Sequence, residues 1–138
     1  MVMDLDSDDV LLQQVALDNF REVVENGYDD ILGVNEAVEA VRLRLNKFDS
    51  SSRIEAVGIF YSAYVSKKCT AAVDAIMDRL QHDTYPKVRL AAAHALRGVA
   101  HGGHAQAFHT LLEVAARDRD ADVREARLTK RVYCDGRW

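Results

Sequence analysis

The chain has 138 residues, 49% of them hydrophobic and 29% charged, with seven glycines and a single proline. That balance excludes the disordered, collagen-like and disulfide-scaffold classes and fits one soluble globular domain with a real core. Residues 1–50 carry twelve acids against four bases and residues 51–138 carry fourteen bases against ten acids, a split too mild and too mixed for a dedicated nucleic-acid binder.

Apolar residues recur at three- and four-residue steps over 8–26, 35–48, 53–66, 70–82, 86–99, 104–117 and 121–133, so seven helices and no strand are expected. Ser7 or Asp8 is placed to cap the first helix and Asn26-Gly27 to end it. Asn35 is a candidate cap for the second, and Ser52 with Glu55 makes a capping-box pattern for the third. The third helix is rich in poor helix formers, Val57, Gly58, Ile59, Phe60, Tyr61, Tyr64 and Val65, so packing must hold it. Thr70 is a candidate cap for the fourth, Pro86 suits the first turn of the fifth, and Gly102-Gly103 can close that helix. No apolar run approaches the roughly 20 residues of a membrane span, and the start MVMDLDSDD is acidic where a secretory signal is basic and then apolar. A cytoplasmic location is therefore expected, with Cys69 and Cys134 as free thiols.

The helices repeat. TAAVDAIMDRLQHD (70–83) aligns with HAQAFHTLLEVAARD (104–118) so that Val73 falls on Phe108, Ile76 on Leu111 and Asp83 on Asp118, each 35 residues apart. NEAVEAVRLRLNKFD (35–49) fits the same frame, Val88-Arg89 matches Val123-Arg124 at 35, and Ile54 matches Val88 at 34. A fixed period of this size marks stacked helical hairpins, because one hairpin cannot bury its apolar face alone. The divisions are a flanking helix in 1–30 and hairpins over 35–66, 70–99 and 104–133. Arg127 and Lys130 fall on the face that carries Ala92 and Ala95 in the fifth helix, which suits a solvated cap on the last one.

The order Asp83, Pro86, Val88-Arg89, Ala92-Ala93 and Ala95-Leu96 resembles the second helix of a HEAT repeat, and TAAVDAIMDRL resembles the first. The resemblance implies an all-α, right-handed solenoid of about three hairpins, whose second helices line a concave surface that binds protein. It also implies that Asp83, Asp118, Arg89 and Arg124 form a structural ladder between neighbours, with Glu55 standing where the first hairpin would carry its Arg.

Five histidines raise the question of catalysis. His101 and His104 flank two glycines at a turn and would need an acid from a neighbour to hold a metal. The HEAT-like deoxyhypusine hydroxylases bind iron through His-Glu pairs, and no His-Glu dipeptide occurs here. HEAT-like DNA glycosylases use a basic, aromatic groove, whereas this chain has a net charge of −4 and a lone Trp at its terminus. Phycobilin-lyase-like subunits remain as the enzymatic alternative, beside a metal-dependent one. No catalytic motif stands in a supporting context, so neither catalytic residues, nor a metal site, nor a cofactor is assigned.

The working surface is expected on the second helices. With Val88 at the centre of the buried face, Leu90, His94 and Arg97 project oppositely from the fifth helix. In the 34-residue frame Ala56, Phe60 and Ala63 match them in the third, with Tyr64 beside Phe60. Phe60, Tyr64, Leu90, His94 and Arg97 are thus the expected contact site for a helix or extended peptide of a protein partner, with no membrane or nucleic-acid role.

Overall fold

The computed structural model describes residues 10–26 and 31–126, and among these every regular element is a helix. In chain order they are α1 (Val10–Asn26), α2 (Ile31–Arg44) with a short 3-10 turn at Leu45–Lys47, α3 (Ser50–Lys67), α4 (Thr70–His82), α5 (Pro86–His101), α6 (Ala105–Arg117) and α7 (Ala121–Glu125). They stack in two layers. One layer runs α1, α3, α5, α7, each packed on the next, and the other runs α2, α4, α6. Within this arrangement α1 occupies the place before α3 in the first layer.

Small side chains let the layers close. Ala56, Ala63, Ala72, Ala75, Ala92 and Ala93 are fully buried, and around them lie Leu17, Phe20, Leu45, Ile59, Phe60, Ile76, Leu80 and Leu96. Each large buried side chain of this kind contributes roughly 1.5–3 kcal/mol through the area it removes from water. Between α3 and α5 the Tyr61 ring lies against Gly98, where an added Cβ would come within 2.5 Å of the Tyr61 hydroxyl.

The ends of the helices have local causes, some of them other than the sequence suggests. Asp49, rather than Ser52, caps α3: its carboxylate accepts from the Ser52 amide at 3.2 Å, and Ser52 is buried behind it. Asn35 lies inside α2, where its Oδ1 accepts from the Cys69 thiol at 2.7 Å. Cys69, not Thr70, takes the cap position of α4. Pro86 opens α5 as expected. After α5 the chain turns through Gly103, whose φ of +94° is the left-handed region that glycine enters without steric cost. Lys68 turns the chain after α3 with φ +56° and lacks that freedom. Ser7, Asp8, Gly27, Arg127, Lys130 and Cys134 lie outside the described residues.

A ladder of charged groups crosses the stack at the turns inside the hairpins. Arg53 of α3 holds Asp83 with two bonds, 2.9 and 3.1 Å, and Arg89 of α5 holds Asp118 with two, 3.0 and 3.3 Å. Each arginine also donates to a main-chain carbonyl on the way: Arg53 to Phe48 at 2.6 Å, Arg89 to Asp83 at 2.8 Å and Arg124 to Asp118 at 2.6 Å. The ladder arginine of the first hairpin is therefore Arg53, and Glu55 instead accepts from Gln14 and Arg21 of α1. Gln13 serves the corresponding end of α1, donating to the Lys47 carbonyl at 3.0 Å and accepting from the Asp49 amide at 3.2 Å.

Arg89 and Asp118 are nearly sealed from water, their side chains 5% and 8% exposed. Removing one partner of such a pair leaves a buried charge uncompensated. Arg89→Ala is expected to lower unfolding free energy by about 3 kcal/mol. Arg42→Ala, which breaks the half-exposed bond to Asp78 in the other layer, is expected to cost about 1 kcal/mol or less. Urea melts of both proteins check the order. Gly58 sits inside α3 with nothing within 4 Å of where a Cβ would be. Gly58→Ala should accordingly raise stability by about 0.5–1 kcal/mol in the same melts.

Candidate partner-binding surface

The ladder sets the rotation of every helix in its layer. Gln13, Arg53, Arg89 and Arg124 are each the fourth residue of α1, α3, α5 and α7. Helical spacing from these points then fixes which side chains face away from the second layer. On α3 they are Ile54, Gly58, Tyr61 and Val65, and on α5 they are Leu90, His94, Arg97 and His101. Exposure agrees: Gly58, Val65, His94 and His101 are exposed, and Ile54, Tyr61, Leu90 and Arg97 half-buried. On α1 the same positions are Gln14, Asp18, Arg21 and Glu25, and on α7 the first is Glu125.

The two rungs Arg53 and Arg89 are 36 residues apart, where the Ile54–Val88 match assumes 34. Two residues rotate a helix by about 200°, so the error inverts it. Phe60 consequently falls on Leu96, and both are fully buried. Its ring meets Phe20 of α1 edge-on, centroids 5.7 Å apart. Phe60 thus belongs to the core, and Tyr61 is the aromatic residue presented on the outer face of α3. Tyr64 stands at the turn edge, with its ring 6.4 Å from that of His104 and the Lys68 ammonium 5.7 Å from its centroid. Leu90, His94 and Arg97 share one face of α5. The signal that could have found Ile54, Gly58, Tyr61 and Val65 was Arg53, an arginine four residues into its helix like Arg89.

Other reactive side chains are engaged locally. His104 caps α6, its Nδ1 accepting from the Ala107 amide at 3.2 Å. Burial pushes the Cys69 thiol above its usual range, so it stays protonated and bonded to Asn35. Among the described residues no three His, Cys, Asp or Glu side chains gather as a metal group. A cleft of about 620 Å³ opens between the ends of α4 and α6, with Leu80, Val114 and Arg117 in its lining. The Arg89–Asp118 pair also lines it, and these groups are engaged with each other, with the Asp83 carbonyl and with the Asp120 amide.

A family model described as HEAT repeats matches residues 36–129, a span that takes in most of α2, all of α3 to α7 and both ion-paired rungs. The chain belongs to the HEAT-repeat family. Comparison with curated proteins and with solved structures gives no match. In HEAT-repeat terms α2, α4 and α6 are the first helices of the repeats and α3, α5 and α7 the second, with α1 standing where a preceding second helix would stand. No described helix is long and apolar enough to cross a membrane.

His94 differs from an ordinary surface histidine. Desolvation of the ring against its own helix surface and then the neighbouring Arg97 charge hold its pKa below the usual imidazole value. The folded state therefore resists protonation that the unfolded chain accepts. Any stability tied to neutral His94 is intact above the ordinary imidazole pKa and is lost as pH falls through the lower folded value. In an NMR titration the His94 ring should titrate below the ordinary imidazole value. Arg97→Gln should move its midpoint upward part of the way, leaving the larger burial effect in place.

Proposed function

We propose that this HEAT-repeat chain is a non-catalytic adaptor that holds a segment of a partner protein against the outer face of α3 and α5. The observation that carries the proposal is the presentation of Ile54, Tyr61, Val65 and Leu90 on one face of two adjacent helices. None of these four is fully buried, and Val65 is 52% exposed. Aromatic and aliphatic side chains on a rigid helical face, with an arginine beside them, have the composition of binding hot spots. The support beneath is stiff, because the same helices are tied through Arg53 and Arg89 to the repeats that follow them. A rigid surface loses little entropy on binding, which favours capture of a flexible segment. A cytoplasmic location belongs to the same reading and is in keeping with the Cys69 thiol.

The test is photocross-linking with a benzophenone side chain placed at His94, on the proposed face, or at Asp74, an exposed position of α4 on the other layer. The expected result is a defined cross-linked protein from position 94 that is absent from position 74 and is competed away by unlabelled chain. The same product from both positions, or from 74 alone, would overturn the assignment.

A further inference from the structure

The charge on the outer face is not mixed at random. Helix α5 has sixteen residues and no carboxylate. It presents Lys87 and Arg97 outward, and neither forms an ion pair among the described residues. The adjoining face of α3 carries one acid, Glu55, already held by Arg21 at 2.9 Å. To either side the sign reverses, with Asp18 and Glu25 exposed on α1 and Asp122 and Glu125 exposed on α7. Among the described residues α5 thus forms a basic strip, with these carboxylates of α1 and α7 to either side of it. Beside the strip lies the apolar row of α3, interrupted at Gly58, where the space is open.

We propose that the occupant of this face is an acidic amphipathic helix that lies along the groove between α3 and α5. Its apolar stripe rests on Ile54, Tyr61, Val65 and Leu90 with one large side chain over the gap at Gly58, and its acidic edge meets Lys87 and Arg97. This rests on the reading of α3 and α5 as the protein-binding face and adds the chemistry of the partner. Two parallel helices with exposed ridges offer a groove that takes a third helix by ridge-into-groove packing. The length is limited: α5 spans roughly 24 Å, about four turns. The acids on α1 and α7 repel an anionic ligand that runs across the layer, so the segment follows α5.

The experiment uses two synthetic 18-residue peptides, each with Leu at helical spacing, one with Glu along the stripe edge and one with Lys in its place. Binding to the full chain is followed by fluorescence anisotropy and by amide shifts. The Glu peptide should bind about tenfold more tightly than the Lys peptide, shift Tyr61, Leu90 and Arg97, and be weakened by added salt. Lys87→Glu with Arg97→Glu should reverse the preference. Gly58→Leu, which fills open space and improves helix propensity, should keep the fold and block the peptide. Equal binding of both peptides at this face would sink the charge assignment and leave the protein-binding face standing. Binding that survives Gly58→Leu, binding of neither peptide, or displacement of the Glu peptide by an oligothymidylate would overturn the proposal.

Discussion

Everything outward-facing in this protein depends on where Arg53 and Arg89 sit. An α-helix packed in a layer can lie at any rotation that buries its small side chains, and α3, apolar over much of its circumference, has several. A guanidinium bound through two nitrogens to a carboxylate and through a third to a carbonyl permits only one. Arg53 makes that set with Asp83 and Phe48, and Arg89 makes it with Asp118 and Asp83. Apolar packing supplies most of the stability, and the arginines choose among the packed alternatives. Their desolvation is compensated because the acceptors are already in place, and Asp83 receives Arg79 at 2.9 Å and the Tyr85 amide at 2.9 Å besides.

Much of the fold was legible in the sequence. Seven helices follow from apolar periodicity, and the 35-residue recurrence of Asp83 with Asp118 and Arg89 with Arg124 is enough to identify stacked hairpins. Helix starts were less legible, because several polar residues near each start can accept an amide and only the packed chain selects among them. Asp49 prevails over Ser52 since the serine is needed as a small buried residue. Asn35 is taken into α2 because Cys69, far along the chain, supplies its partner.

The face itself was half legible. Leu90, His94 and Arg97 could be set on one side of their helix because it has an unmistakable buried stripe of Val88, Ala92, Leu96 and Val99. Phe60 was misplaced because α3 has no comparable contrast and its register was taken from an apolar match. The first hairpin differs from the later two in the connection before the second helix: Arg53 reaches back five residues to its carbonyl, whereas Arg89 and Arg124 reach back six. A repeat can lose a residue there and keep its geometry, so counting residues fails where following the hydrogen bonds succeeds.

The ladder also divides the chain differently from the hairpins. Arg53 and Asp83 close a loop that contains α3 and α4, and Arg89 and Asp118 close one that contains α5 and α6. Each closure therefore joins the second helix of one repeat to the first helix of the next. Packing within a hairpin and ion pairing between hairpins divide the same helices half a repeat out of phase. Neither kind of block can detach without breaking a bond of the other kind, much as courses of brick hold because their joints are staggered. An array built in this way is expected to open as one cooperative body even though each helix touches only its neighbours.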